Sequence, residues 1–285
     1  MYHELTKKNT ASIALSVSAK IAKYFLLCLC VVIVFVPILA VFFGSFKGME
    51  EFYISSALTL PESFSFANYK TAFLDGKMLE GFLNTLIIMA FSLILSVMTG
   101  SMTAFALGRY RFFGKTAVHA MFLAASLIPV VTTQVLTFRI VNALNLVNTY
   151  TGAVLMFGGT DIISVYIFLQ FLNRIPVSLD ESAKIDGANA YRIFFTIVLP
   201  LMLPAIVTVL IIKFVGIYNE FYIPLIYIPD VHMVSTALYN FTSAFGSRWE
   251  VICAGQIIVI IPMVIVFLFL QKYIYSGLTA GAIKE

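Results

Sequence analysis

The stretch Ser178–Pro200, SLDESAKIDGANAYRIFFTIVLP, sets two aspartates, a glutamate and a glycine between two strongly apolar segments. It holds no nucleophile–base pair and no metal-ligand spacing, so the chemistry it offers is recognition. Pro176 closes the preceding segment, because proline cannot continue a helical hydrogen-bond ladder. Ser178 and Glu181 fit S-x-x-E, and this capping box predicts the start of a new helix. Gly187 can take the left-handed conformation that ends such a helix. Asn189 can cap a second helix, with Phe194, Phe195, Ile197 and Val198 as its apolar surface. Pro200 and Pro204 mark the return to an apolar segment. Two roles are open for this helix–glycine–helix unit. It is either an ordinary interfacial loop or a docking element that fits a groove on a soluble partner.

A second polar group is Tyr218, Asn219, Glu220 and Tyr222. Hydrogen-bonding groups beside apolar ring faces suit a sugar, although Asn219 and Glu220 can equally hold helices together. Gln134 follows Pro129, Thr132 and Thr133, and Asp161 and Lys213 stand alone in apolar surroundings. A charge at the centre of a membrane span costs about 2.5–3.5 kcal/mol on insertion scales, so each one marks a pathway or a pair. Gln134, Asp161, Tyr218, Asn219, Glu220 and Tyr222 are therefore the candidate pathway residues, with mutual pairing of Asp161 and Lys213 as the structural alternative. Arg139 is expected to reach the outer surface.

Other chemistry is missing. GRYRFFGKT, Gly108 to Thr116, has five residues between its glycines where a phosphate loop has four, and an apolar span precedes it. His3, His119 and His232 are scattered without metal spacing. Cys28, Cys30 and Cys253 all lie in apolar runs and read as packing residues rather than a disulfide framework. No catalytic or metal site is expected.

The elements that must position these residues are membrane spans. The 285 residues are 61% hydrophobic and 11% charged, with a mean hydropathy of +0.98. A soluble domain is nearer half apolar and a quarter charged. Runs of about 20 apolar residues cross a bilayer core. Six spans are expected, at 22–44, 82–107, 116–139, 153–173, 202–228 and 252–275, the fourth interrupted by Gly158, Gly159, Thr160 and Asp161. The fold class is thus all-α: a polytopic membrane protein with six transmembrane helices. Residues 1–21 and 276–285 form its terminal tails, and the first span is read as uncleaved.

With the N-terminus inside, Lys7, Lys8, Lys20, Lys23, Arg109, Arg111, Lys115, Arg174, Lys184, Arg192, Lys272 and Lys284 are inner. Lys47, Lys70, Lys77 and Arg248 are outer. Twelve against four predicts cytoplasmic termini and a cytoplasmic Ser178–Pro200. Residues 45–81 read as an ordered outer excursion. Gly100, Ala104 and Gly108 recur every four residues and predict a close helix approach, within the chain or against another subunit. The net charge of +4 gives no reason to expect nucleic acid.

ESAKIDGANAYRIFFTIVLPLMLPA resembles the EAA motif of ABC importer permeases. Glu181, Ala183, Asp186, Gly187, Ala188, Ile197, Leu199, Pro200 and Pro204 match, and Ser182 stands where alanine is usual. FLNTLIIM, AFALGRYRFFGK, YNEFYIPLIYI and FLQKYIYSGLTAGAIKE are similar to further segments of the carbohydrate-specific, maltose-permease-like branch. Tyr218 replaces the tryptophan usual in the third of these. The resemblance covers nearly the whole chain. It implies a coupling helix over Glu181–Gly187 with Ser182, Ala183 and Ala188 in its contact. It also implies a second permease subunit, two separate ATPase subunits that bind the ATP, an extracytoplasmic solute-binding protein, a carbohydrate substrate and a bacterial plasma-membrane location. No cofactor is implied on this chain. A non-sugar solute and an ion-driven secondary transporter are the alternatives.

Overall fold

The computed structural model describes residues 2–242 and 247–282, with side chains over 20–129, 131–239, 241–242 and 247–271. Lys7, Lys8, Lys272 and Lys284 lie outside the described side chains, as does most of the C-terminal signature. Fourteen α-helices are assigned among the described residues: α1 Tyr2–Gly44, α2 Met49–Ile54, α3 Ala67–Asp75, α4 Met78–Arg109, α5 Lys115–Leu127, α6 Val130–Ala143 and α7 Tyr150–Gly158, followed by α8 Ile162–Leu172, α9 Val177–Ile185, α10 Ala190–Ile193, α11 Leu199–Leu201, α12 Leu203–Asn219, α13 Tyr222–Tyr227 and α14 Trp249–Ala282. A π-helical turn, Phe194–Val198, joins α10 to α11.

The chain divides into two compact units, residues 1–72 with 241–258 and residues 73–240 with 259–285. In the first, the outer excursion is ordered around Lys47 and Phe46. The buried Lys47 ammonium donates to Ser55 Oγ (2.9 Å), Ser56 O (2.7 Å) and Thr59 Oγ1 (3.0 Å). All three of its donors are satisfied, which lets a cation be buried without a carboxylate. Phe46 stacks edge-on against Phe42, Phe64 and Phe66. The apolar side chains of α1 between Ile21 and Leu39 point outward, Phe25 being 70% exposed. Such a surface suits hydrocarbon.

The second unit is built on α4, which packs against α7, α8 and α12. Its buried face carries Ser92, Ser96, Gly100 and Ala104, continuing to Gly108. These small residues recur every fourth position, so they form one row along the helix. The row meets the same chain. A Cβ on Gly100 would lie 3.2 Å from Phe168 and 3.4 Å from Ser164, and one on Gly108 would meet Leu172. Gly100→Leu therefore overpacks the α4–α8 contact, at a cost of about 1–3 kcal/mol. The expected result is a clear loss of monodisperse protein in detergent chromatography. Gly48→Ala, where a Cβ meets nothing within 4 Å, leaves the yield unchanged.

Three expected spans are single long helices: Lys20–Gly44, Met78–Arg109 and Trp249–Gln271. The other three are bent pairs. Lys115–Leu127 and Val131–Ala143 turn through 111°, because Pro129 denies the backbone a donor there. The third span is thus not the continuous helix expected over 116–139. Tyr150–Gly158 and Ile162–Leu172 bend by 49° at the predicted interruption. Ala190–Leu201 and Leu203–Asn219 bend by 74°. The fifth span also stops at Glu220 instead of running to 228, with α13 as a separate turn. The N-terminal stretch expected as a tail is helical from Tyr2, continuous with the first span.

Candidate functional site

The Ser178–Pro200 turn forms largely as its local chemistry dictates. α9 runs from Val177 to Ile185 with Asp186 as its C-cap. Gly187 follows at φ +80°. Its N–H donates to Lys184 O (3.0 Å), and Ala188 N–H donates to Ala183 O (2.9 Å). These two bonds make a complete Schellman closure. Asn189 Oδ1 accepts from Arg192 N–H at 2.9 Å and caps α10. The π turn that follows adapts to Pro200. That residue has no N–H for the carbonyl of Thr196, and Leu199 N–H reaches back to Phe194 O instead.

The expected Ser178–Glu181 capping box is corrected. The N-cap is Pro176, with no side-chain cap bond, and Ser178 already lies inside the first turn. Pro176 is extended at φ −58°, ψ 134° and starts the helix two residues earlier.

The turn has two faces. Glu181, Ser182, Lys184, Ile185, Asp186 and Gly187 are exposed, Ile185 at 87%. Ala183 is buried in the apolar core that includes Leu172, Phe194 and Val198, and the half-buried Ala188 packs against that core. The inward acid is Asp180, only 3% exposed. Its Oδ2 lies 2.7 Å from Nε of Arg109, the last residue of α4. The two charges are close but oblique, so Nε makes no aligned hydrogen bond, and Asp180 Oδ1 has no partner either. Arg109 Nη2 donates to Ile175 O at 2.8 Å. Sequence reasoning counted Arg109 only as an inner-loop cation and passed over Asp180. The available signal was helical spacing, which puts Asp180 on one face with the small Ala183.

The candidate pathway residues are anchored in three separate places. Asp161 caps α8, Oδ1 accepting from Ser164 N–H (3.0 Å) and Oδ2 from Ser164 Oγ (2.7 Å). Oδ2 also meets Lys213 Nζ at 2.7 Å, which realises the pairing alternative. Gln134 Oε1 accepts from the Tyr227 hydroxyl at 2.6 Å. Tyr218 is 7% exposed, stacks on Phe214, and donates its hydroxyl to Val259 O at 2.7 Å. It is a packing residue here. Asn219 donates to Val215 O on its own helix. Glu220 Oε1 accepts at 2.9 Å from the N–H of Tyr222, the first residue of α13, while the Tyr222 ring is 64% exposed. Asn219, Glu220 and Tyr222 thus stay together at the break between α12 and α13.

Three long apolar helices and three bent pairs, with a helix–glycine–helix turn between the fourth and fifth spans, define a polytopic α-helical membrane protein with an exposed polar turn. The sequence profile described as "Binding-protein-dependent transport system inner membrane component" matches residues 96–279. The chain belongs to that family of transport components. It is 32% identical over 254 residues to the arabinooligosaccharides transport system permease protein AraQ of Bacillus subtilis, covering 87% of this chain and 90% of that one. It is equally identical over 254 residues to the melibiose/raffinose/stachyose import permease protein MelC of the same organism, covering 88% and 91%. A bacterial ABC transporter involved in import of the acidic polysaccharide alginate has a chain of the same fold. The TM-score is 0.75 at 21% identity, covering 89% of this chain and 95% of that one.

Proposed function

We propose that this chain is one of two permease subunits of an ATP-driven importer for a sugar or short oligosaccharide in a bacterial plasma membrane. Both termini and α9 face the cytoplasm in this reading. Two separate ATPase subunits bind and hydrolyse the ATP, and one docks on the outward face of α9. An extracytoplasmic binding protein delivers the solute. The observation that carries this reading is the turn itself. Its helix starts at Pro176 and is closed at its C-terminal end by the two Gly187–Ala188 bonds, and it turns Glu181, Ser182, Lys184, Ile185, Asp186 and Gly187 outward while Asp180 and Ala183 anchor it. An apolar Ile185 flanked by charges suits a groove on a folded partner. The names of the relatives support a sugar as cargo. The pairing of Asp161 with Lys213 speaks against an ion relay, since neither charge is free to carry an ion.

The direct test is purification of the tagged chain in mild detergent, with partners identified by mass and ATPase activity. Recovery of an ATPase and a second permease supports the reading. A chain that comes out alone, with uptake that follows an ion gradient, overturns it.

For the pathway we place the solute against Asn219, Glu220 and Tyr222, with Gln134 and Asp161 as walls. Tyr222→Ala should raise the half-saturation concentration for uptake about tenfold, the equivalent of about 1.4 kcal/mol, at unchanged abundance. Tyr218→Phe should instead lower thermal stability by about 1 kcal/mol, the net worth of one hydrogen bond, and leave sugar preference untouched. Uptake assays beside immunoblots of the membrane fraction separate the two effects.

A further inference from the structure

We infer that the Arg109–Asp180 ion pair is the joint that carries movement of α9 into α4, and that α4 acts as a lever ending at His232–Val234. The inference rests on α9 being the ATPase-docking helix. Three observations carry it.

The first is the joint's construction. Both side chains are more than nine-tenths buried, at 9% and 5% exposure, with 2.7 Å between their charges. Arg109 also holds Ile175 O, so it grips both the approach to α9 and its first turn. The backbone links of α9 run through Pro176 on one side and Gly187 on the other. An apolar contact can slide by an ångström at little cost. A desolvated ion pair cannot, because separating it leaves two buried charges unpaired. The joint therefore resists shear.

The second is the rod. α4 is one unbroken helix of 32 residues without an internal proline, about 48 Å long at 1.5 Å per residue. Its small-residue row is seated on α7 and α8.

The third is the far end. Asn84 Nδ2 donates to His232 O (2.8 Å), and Thr85 Oγ1 accepts from Val234 N–H (3.0 Å). The Tyr150 hydroxyl donates to Asn84 Oδ1 (2.6 Å), fixing the amide's orientation. α4 is thus tied by specific polar bonds at both ends and by packing between them. Arg109 and Asp180 are positioning residues, acting on the solute only through this rod.

The test uses the complete transporter, purified with its partners and reconstituted in nanodiscs. Backbone amide deuterium exchange is followed over 231–236 and over α9, before and after ATP with vanadate. In the wild-type complex, exchange at 231–236 should change at least about fivefold. Asp180→Asn should keep the ATPase bound and the response at α9, yet lose more than half of the response at 231–236. The exchanged pair Arg109→Asp with Asp180→Arg should restore it. Should Asp180→Asn fail to insert, Arg109→Met with Asp180→Leu keeps the volume apolar, as buried pairs often allow. The same loss at the far end is expected from it. A wild-type response in Asp180→Asn or in the apolar pair overturns the joint. No response at 231–236 in the wild type overturns the lever. If no ATPase accompanies the wild-type chain, the docking reading of α9 falls first, and this inference falls with it.

Discussion

Gly187→Pro should abolish ATP-driven uptake, by about 100-fold or more, in a protein that still inserts into the membrane. A Cβ at this position meets nothing within 4 Å, so the effect is not steric crowding. It comes from the backbone. Gly187 sits at φ +80° and donates its N–H to Lys184 O. Proline fixes φ near −65° and has no N–H, a conflict worth roughly 3 kcal/mol or more. Both Schellman bonds are lost, α9 is released from α10, and Ile185 no longer stands at a fixed angle to its partner. Gly187→Ala should fall between, since the left-handed conformation costs an ordinary residue about 1–2 kcal/mol. Gly187→Asn should retain most uptake, because asparagine tolerates that conformation. Replacing both Glu181 and Asp186 by alanine tests the same surface through its charges. Uptake of radiolabelled sugar, with membrane-fraction immunoblots as the insertion control, reads out the series. Normal uptake in the proline variant would remove the mechanical role of the turn.

The second large effect is expected at Asp161. Asp161→Ala removes two things together: the cap of α8 and the partner of the Lys213 ammonium. A lost N-cap costs about 1 kcal/mol. An ammonium left unpaired in a buried site costs about 3–5 kcal/mol, and the 19% and 32% exposure of these side chains discounts that toward its lower end. A fall of about 5–10 °C in the detergent melting temperature should result. Asp161→Asn keeps an oxygen for Ser164 N–H and loses only the charge, so its fall should be smaller. Adding Lys213→Met to Asp161→Asn removes the stranded cation and should recover most of the loss. If the double variant is as unstable as Asp161→Asn, the pair contributes no charge compensation.

The two halves of the docking turn show how far local signals reach. Gly187 and Asn189 were legible because their tasks are local. One supplies a left-handed backbone and the other an acceptor for a bond three residues away. The Gly158–Asp161 interruption was legible for the same reason, and there the structure adds the cap on Ser164. Ser178 misled because the capping-box pattern cannot register that Pro176 has already begun the helix. Tyr218 misled differently. Its residue type suits a sugar, but rotation of α12 points the ring at Phe214 and its hydroxyl at Val259 O, 41 residues away.

By itself the sequence determined that the chain is a multi-span membrane protein with a polar helix–glycine–helix turn. Segment length, hydropathy and capping chemistry depend only on neighbouring residues. Only the tertiary structure decided which acid of the turn is inward and what holds it. Helical spacing groups Asp180 with Ala183 on one face, but it does not say which face turns inward or which cation meets it. Each residue turns a helix by about 100°, so the rotation of α9 against α4 and α8 selects Asp180 for Arg109 and leaves Glu181 and Asp186 exposed. That rotation is set by packing between elements far apart in the chain, and no local pattern encodes it.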